Sequence, residues 1–423
     1  MSLYKDKSIK KFYIFNAGCI RRAIDAIHIQ EYLEENNWKL TKHLKRADLI
    51  VIATCGVVKL NEINSLKAIS IAEKKKKKNS QIVVTGCLPK INPDEIGKIG
   101  KFTTVPTGNL DLLDSVVTAA VKPISDVGAP DSITDNKDIT NYLIARSFCR
   151  QYPFYKTLFH RFSMNSMFLS ASVYINRTIQ YVKKVFSNAP QKKVVPYFNI
   201  RIAEGCMSNC SFCATKFATG RLRSRPVEKI IEDFKYGLGK KYKIFQLIAE
   251  DTGCYGLDMG TNFSELLMRI FAIEGDYQLV IIDCCPQWLV EQRQKIVPLI
   301  VEHQDKIKEL FVPIQSGSDH ILKRMRRNYI ADDVKSVLNE IRERAHGIAI
   351  RTSFLIGFPG ETEEDFAETK RFISEIDFFE VTINRYEDRP GTEASNMPDK
   401  IPQEVIEQRA LHLSKEMGCR ILS

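Results

Sequence analysis

The sequence predicts an α/β protein built from a small amino-terminal parallel α/β domain and a larger partial (β/α)6 barrel. Three observations point there. Short apolar runs bounded by turn residues alternate with helix-length stretches, the pattern of βα units joined into parallel sheets. The alternation comes in two blocks, about 1–125 and 196–395, separated by a stretch of different charge. Polar and glycine-bearing segments cluster just after the apolar runs, where parallel sheets gather their ligands.

Composition sets the outer bounds. A chain of 423 residues with 44% hydrophobic content has material for two or three domains with full cores. No apolar run is long enough to span a membrane. Met1-Ser2-Leu3-Tyr4-Lys5 lacks the apolar centre of a secretory signal. The eleven cysteines form no evident paired framework, which favours a reducing compartment, the cytoplasm, and metal binding over disulfides.

In the first domain, residues 1–125, Lys11–Asn16 reads as a strand, Ala17-Gly18-Cys19 as the turn leaving it, and Arg21–Asn36 as a helix. Leu49–Ala53 is a buried strand that ends at Cys55, and Ile82–Val84 another that ends at Cys87. The lysine run Lys74–Lys78 closes the helix between them, where cations suit the dipole; it reads as a solvated face, with nucleic-acid contact the lesser alternative. Three strands therefore each end in a cysteine: Cys19, Cys55 and Cys87. Since strand carboxyl ends form the ligand crevice of such sheets, the thiols converge at one edge. A single cysteine there is ordinary core packing; three favour a metal cluster.

Residues 126–195 read as a linker followed by an insertion. From Ile139 to Ala203 there is no Asp or Glu, and ten Lys and Arg account for nearly the whole net charge of +11. Aromatic and apolar positions such as Phe159, Phe162, Phe168 and Tyr174 suggest amphipathic helices. A helical hairpin packed on the core, a docking surface for an anionic or extended substrate, and a membrane-surface helix are the alternatives.

The barrel block opens with the strand Tyr197–Ile202 and then Cys206-Met207-Ser208-Asn209-Cys210-Ser211-Phe212-Cys213. Three thiolates on one tight loop suit an iron–sulfur cluster and do not suit disulfides. Three ligands to a cubane leave one iron free to bind a small molecule. A zinc knuckle is the alternative, although no partner pair follows at a finger-like distance. Further strands fall at Ile244–Ile248, Leu279–Ile282, Leu310–Ile314, Ala349–Ile356 and Phe378–Ile383, with helices between them. Cys254, Cys284 and Cys285 read as packing before chemistry. Residues 396–423 hold a last helix, Ile401–Met417, started by Pro402 and stopped by Gly418.

The cysteine loop resembles that of the radical S-adenosylmethionine (radical SAM) enzymes. The segments Ala17-Gly18-Cys19, Ala53-Thr54-Cys55-Gly56-Val57 and Val84-Thr85-Gly86-Cys87-Leu88 resemble those of its methylthiotransferase family, as do Pro313–Asp319, Met325–Tyr329, Ile356–Glu361 and Arg389–Ala394. The resemblance covers about 1–125 and 196–415. It implies two [4Fe–4S] clusters, one held by Cys206, Cys210 and Cys213 with S-adenosylmethionine on its open iron, the other held by Cys19, Cys55 and Cys87 and carrying sulfur. It places Phe212 near the adenine and Gln315, Ser316 and the Gly357 loop around the cofactor. It implies insertion of sulfur, as methylthio, into an unactivated C–H bond, and an electron donor such as flavodoxin or ferredoxin. The chain departs from the family at Arg22, Ala26, Ile27 and Ala53, where polar neighbours of the clusters are usual. It also stops at Ser423 without the RNA-gripping TRAM barrel. A tRNA base is the first substrate expectation. A peptide, protein or natural product is the second. A silent cluster protein that binds RNA is the third.

Overall fold

A computed structural model describes residues 9–117, 120–127, 132–133 and 197–421. The chain divides into two compact units, Met1–Val194 and Val195–Ser423. The helices expected within 139–190, and Cys149, lie outside the described residues.

The first unit is a five-stranded parallel sheet in the order β2-β1-β3-β4-β5, with β1 at Lys11–Asn16, β2 at Lys39–Leu40, β3 at Leu49–Thr54, β4 at Gln81–Gly86 and β5 at Thr103–Pro106. Helix α1, Ile20–Glu35, presses Ile29, Tyr32 and Leu33 onto Phe12, Leu49, Val51 and Val83. Helix α2, Lys59–Lys75, presses Ala68, Ile69 and Ala72 onto the other set, Ile50, Ile52, Ile82 and Val84. Burial on both faces is why β3 has no polar residue before Thr54 and is buried throughout.

The second unit pairs six strands in sequence order, all parallel: Tyr197–Arg201, Ile244–Ile248, Gln278–Ile281, Ile307–Gln315, Ala349–Ile356 and Glu380–Arg385. Arg420–Ile421 adds a seventh beside the last. One face of the strands, with Phe198, Phe245, Leu310, Val312 and Phe354, packs on the helices in a single large core. Alternate residues carry charge: Arg351 pairs with Glu309 at 2.6 Å and with Glu380 on the neighbouring strands. The helix Glu363–Ser374 starts in a capping box, Thr362 and Asp365 satisfying each other's amides. Among the described residues no helix is long and apolar enough to cross a membrane.

The expected strands are present, and six short ones join them among the described residues: β2, β5, Ser132–Ile133, Arg420–Ile421, and Ala203–Glu204 with Arg223–Ser224, which form an antiparallel ladder. The sixth barrel strand begins at Glu380 and not at Phe378. Its ladder runs on through Asn384 and Arg385, opposite Leu355 and Ile356.

Candidate functional site

The second unit holds Cys206, Cys210 and Cys213 on the loop after Ala203–Glu204. Gly205 turns the chain into this loop at φ +76°, and a Cβ there would lie 2.1 Å from the Arg221 carbonyl oxygen, so only glycine fits. Glu250 accepts the Gly205 amide at 2.9 Å, tying the loop to the segment after Ile244–Ile248. Ser211 locks the centre of the loop: its amide donates to the Met325 carbonyl, its hydroxyl to the Arg324 carbonyl at 2.8 Å, and its carbonyl accepts from Ala394.

Each of the three sulfurs is met by hydrogen-bond donors. The Ser208 amide lies 3.3 Å from Cys206 Sγ. The Cys254 thiol hydrogen-bonds to Cys206, which pulls the Cys206 thiol below its ordinary range and pushes Cys254 up. Arg327 Nη1 lies 3.3 Å from Cys210 Sγ. Burial pushes Cys213 up, while the Lys216 and Thr215 amides pull the other way. Donors aimed at sulfur are what an iron–sulfur cluster needs around its thiolates, so the donor set fits that group. Among the described residues no group of three or more His, Cys, Asp or Glu side chains is placed to hold a single metal ion; a cubane instead spreads its thiolates over separate irons.

Phe212 packs with Phe358, from the Gly357 loop, and with Ile321, Met325 and Tyr386. Gln315 ends its strand at φ +78°, a conformation a non-glycine residue holds at a cost of about 1–3 kcal/mol and one that collects at functional sites. The Ser316 hydroxyl is occupied within the fold, accepting the Ser318 amide at 3.1 Å and lying 3.4 Å from Thr369 Oγ1. Ser316 therefore has its backbone, rather than its hydroxyl, to offer a ligand. Glu361 Oε2 accepts the Gly357 amide at 2.9 Å and holds that loop.

The first unit carries Cys19, Cys55 and Cys87 at the carboxyl ends of three adjacent strands. Thr54 pairs with Gly86, so Cys55 and Cys87 follow in register, and Cys19 starts α1, whose amino end favours negative charge. Gly86 at φ +98° is forced in the same way as Gly205: a Cβ would lie 2.3 Å from the Thr54 carbonyl oxygen. Ser65 Oγ pins Cys55 by accepting its amide at 2.9 Å and donating to its carbonyl at 3.1 Å. The departures at Arg22, Ala26 and Ile27 are packed into the fold. Arg22 and Asp25 form an ion pair at 2.9 Å, both almost wholly buried, with the Thr107 hydroxyl on Asp25 at 3.0 Å. Ala26 and Ile27 are buried apolar residues.

Several contributors have no signature in the chain. Asp251, 3% exposed, accepts from Trp288 Nε1 at 2.6 Å and from the Cys285 and Gly253 amides, and lies 3.9 Å from Cys206 Sγ. Cys254, Cys284 and Cys285 are buried, and Cys284 and Cys285 are pushed well up by that burial, the state of inert packing thiols. Arg327 lies in the Met325–Tyr329 motif, but its reach to Cys210 depends on the fold.

A parallel, open βα barrel with three thiolates on the loop after its first strand defines a radical SAM enzyme. Residues 200–373 match the Radical SAM superfamily and residues 11–107 match Uncharacterized protein family UPF0004. The chain is 30% identical over 403 residues to a "Probable threonylcarbamoyladenosine tRNA methylthiotransferase" of Pyrococcus abyssi, covering 95% of this chain and 82% of that one. It is 28% identical to a "Ribosomal protein uS12 methylthiotransferase RimO" of Nitratiruptor, covering 95% and 79%. The fold is similar to TsrM of Kitasatospora setae, a radical S-adenosylmethionine methyltransferase (TM-score 0.59, 13% identity, 91% of this chain and 75% of that one). The chain belongs to the radical SAM methylthiotransferase family. It is an enzyme of sulfur-group transfer that works with a [4Fe–4S] cluster and S-adenosylmethionine.

Arg327 reaches the sulfur directly: Nη1 meets Cys210 Sγ, Nη2 donates to the Pro313 carbonyl at 3.0 Å and Nε to Tyr329 Oη at 2.8 Å. Replacing Arg327 with Met removes the charge and the fork together. Cofactor cleavage is expected to fall about 10–100-fold, the usual cost of losing a group behind a metal ligand. The cluster's reduction potential, followed by EPR, is expected to become more negative as the charge is lost. An unchanged potential in Arg327→Met shows that the contact is packing only.

Proposed function

We propose that this chain is a tRNA methylthiotransferase that places a methylthio group on an unactivated C–H of a tRNA base. The carrying observation is the 30% identity, across 95% of the chain, to a relative whose name specifies that reaction on threonylcarbamoyladenosine. In this reading Cys206, Cys210 and Cys213 hold the cluster that works with S-adenosylmethionine. Cys19, Cys55 and Cys87 hold a second [4Fe–4S] cluster. Phe212, Gln315, Ser316 and Gly357 form the cofactor's cradle. When bound, these groups supply one-electron hydrogen removal and the incoming sulfur.

The chain's own residues supply placement. Gly205 and Glu250 hold the loop, and Arg327 and the Ser208 amide hydrogen-bond two of the sulfurs. Phe212 and Phe358 make an apolar wall that excludes water, and Glu361 fixes the Gly357 amide. A small acidic electron carrier, flavodoxin or ferredoxin, completes the cycle. All ten described cysteines are free thiols, which supports work in the reducing cytoplasm.

The test is anaerobic reconstitution with bulk tRNA, followed by nucleoside digestion and mass spectrometry. The expected product is an adenosine derivative heavier by one methylthio group. Relatives that act on ribosomal protein uS12 match at 28%, so a uS12 peptide runs beside the tRNA. Modification of that peptide with tRNA untouched overturns the assignment.

A further inference from the structure

The first unit has a second charged edge, at the opposite end of its sheet from the three thiols. Asp48 is its hub. It accepts the Lys11 amide at 2.8 Å and the Lys77 ammonium at 2.6 Å, while its own amide donates to the Lys11 carbonyl at 2.6 Å. The Gln81 amide donates to the Asp48 carbonyl at 2.9 Å, and Ser80 Oγ donates to the Ala47 carbonyl at 2.6 Å. These bonds draw together the start of β1, the turn Leu44–Arg46 and the end of α2. Lys11, Lys45, Arg46, Lys74, Lys75 and Lys78 are thereby gathered in one place, all exposed. Among the described residues none of the six makes an ion pair. Lys77 pairs with Asp48, and Lys76 with Glu73 at 3.1 Å.

A helix C-terminus accounts for lysines at Lys74 and Lys75. It does not account for Lys11, Lys45 and Arg46, which three other bonds bring in from separate elements. Like charges held together, with Asp48 and Glu73 already taken by Lys77 and Lys76, repel one another and destabilise the fold. A polyanion relieves that repulsion. We propose that the amino-terminal edge of this sheet is a docking surface for the phosphate backbone of the RNA substrate, an inference that rests on the tRNA reading above.

Position selects RNA over an acidic protein electron donor. β1, β3 and β4 are six residues each, so the basic edge lies about 20 Å from the thiol edge. A carrier docked there is a sheet's length from the thiols of its own unit. A folded RNA is long enough to rest its backbone on the basic edge and still extend well beyond it. Lysines on flexible stems bind phosphate as point charges and carry no base reading, so the surface adds affinity without sequence preference.

The test uses the full chain and fluorescently labelled bulk tRNA, with binding followed by anisotropy over a salt series. Lys74→Gln/Lys75→Gln/Lys78→Gln and Lys45→Gln/Arg46→Gln are compared with the wild type. The triple variant is expected to bind about tenfold more weakly at physiological salt, and its log affinity to fall less steeply with log salt, by about two to three units of slope. Cofactor cleavage without RNA is expected to stay at the wild-type rate, since Cys206, Cys210 and Cys213 belong to the other compact unit. Equal affinity and slope in both variants overturns the proposal. Loss of flavodoxin-driven cleavage with tRNA affinity intact overturns it in favour of an acidic donor. A wild type that modifies tRNA alongside variants that bind and modify it equally well removes this surface alone. A wild type that binds no tRNA and modifies the uS12 peptide removes both readings.

Discussion

Alanine at Cys206, Cys210 and Cys213 together is expected to reduce cofactor cleavage to background, with bound iron falling by half, from roughly eight to four per chain. Alanine at Cys19, Cys55 and Cys87 is expected to remove the same amount of iron and leave cleavage running. The methylthio product disappears in both. In the proposed reading each triad supplies every protein ligand of one cluster, so no partial occupancy survives its loss. The two triads lie in separate compact units, each with its own sheet and core, so losing one cluster leaves the other's scaffold intact. Iron analysis, cleavage assayed by chromatography and far-UV circular dichroism are read on the same samples. Full iron content in the Cys19/Cys55/Cys87 variant sinks the two-cluster account and returns those thiols to core packing.

The parts of this molecule that can be read from its sequence are those set by local pattern. Ile244–Ile248 and Ala349–Ile356 were delimited to the residue, because an apolar run between polar turns has few other fates. The missing strands are a different matter. Lys39–Leu40 and Arg420–Ile421 have two residues each and exist only because β1 and Glu380–Arg385 present an edge to pair with. The apolar Phe378 pulls the expected start of the sixth strand forward, but the following Phe379 is exposed and the ladder begins where Glu380 meets Arg351.

The site divides along the same line. Cysteine spacing and strand-end position are properties of a line of text, so both triads are visible in it. Asp251, Cys254 and Arg327 act on Cys206 and Cys210 from residues 45, 48 and 117 positions away, and nothing in their own neighbourhoods announces it. Arg22 teaches the reverse lesson. As text it is the loss of a polar neighbour; in the fold it is half of a buried ion pair with Asp25 within the first turns of α1.

Arg409→Met is expected to destabilise the protein in a pH-dependent way, by about 1 kcal/mol at pH 5 and about 2.4 kcal/mol at pH 8. Arg409 reaches from the helix Gln403–Met417 to Glu361, donating to Oε2 at 2.6 Å and to the backbone carbonyl at 3.2 Å. Glu361 is 2% exposed. Burial pushes its carboxyl up to about 7, against the pull of the Gly357 amide and of Arg409, with Asp365 adding to the rise. A carboxyl raised above its unfolded value stabilises the fold fully below that lower value, and the contribution is lost as pH rises toward the folded one. In the wild type that loss is therefore complete near pH 7. Without the guanidinium the folded carboxyl moves higher still, and each further pH unit above 7 costs the variant about 1.4 kcal/mol that the wild type does not pay. At pH 5 Glu361 is neutral in both, so only a hydrogen bond and some packing are missing. The second partner of Arg409, Glu363, is 81% exposed and contributes little. Urea midpoints at constant m-value, measured at the two pH values, give the comparison. A destabilisation that is the same at both shows that Glu361 is not the group responsible, and that the last helix is held on the Gly357 loop by packing instead of charge.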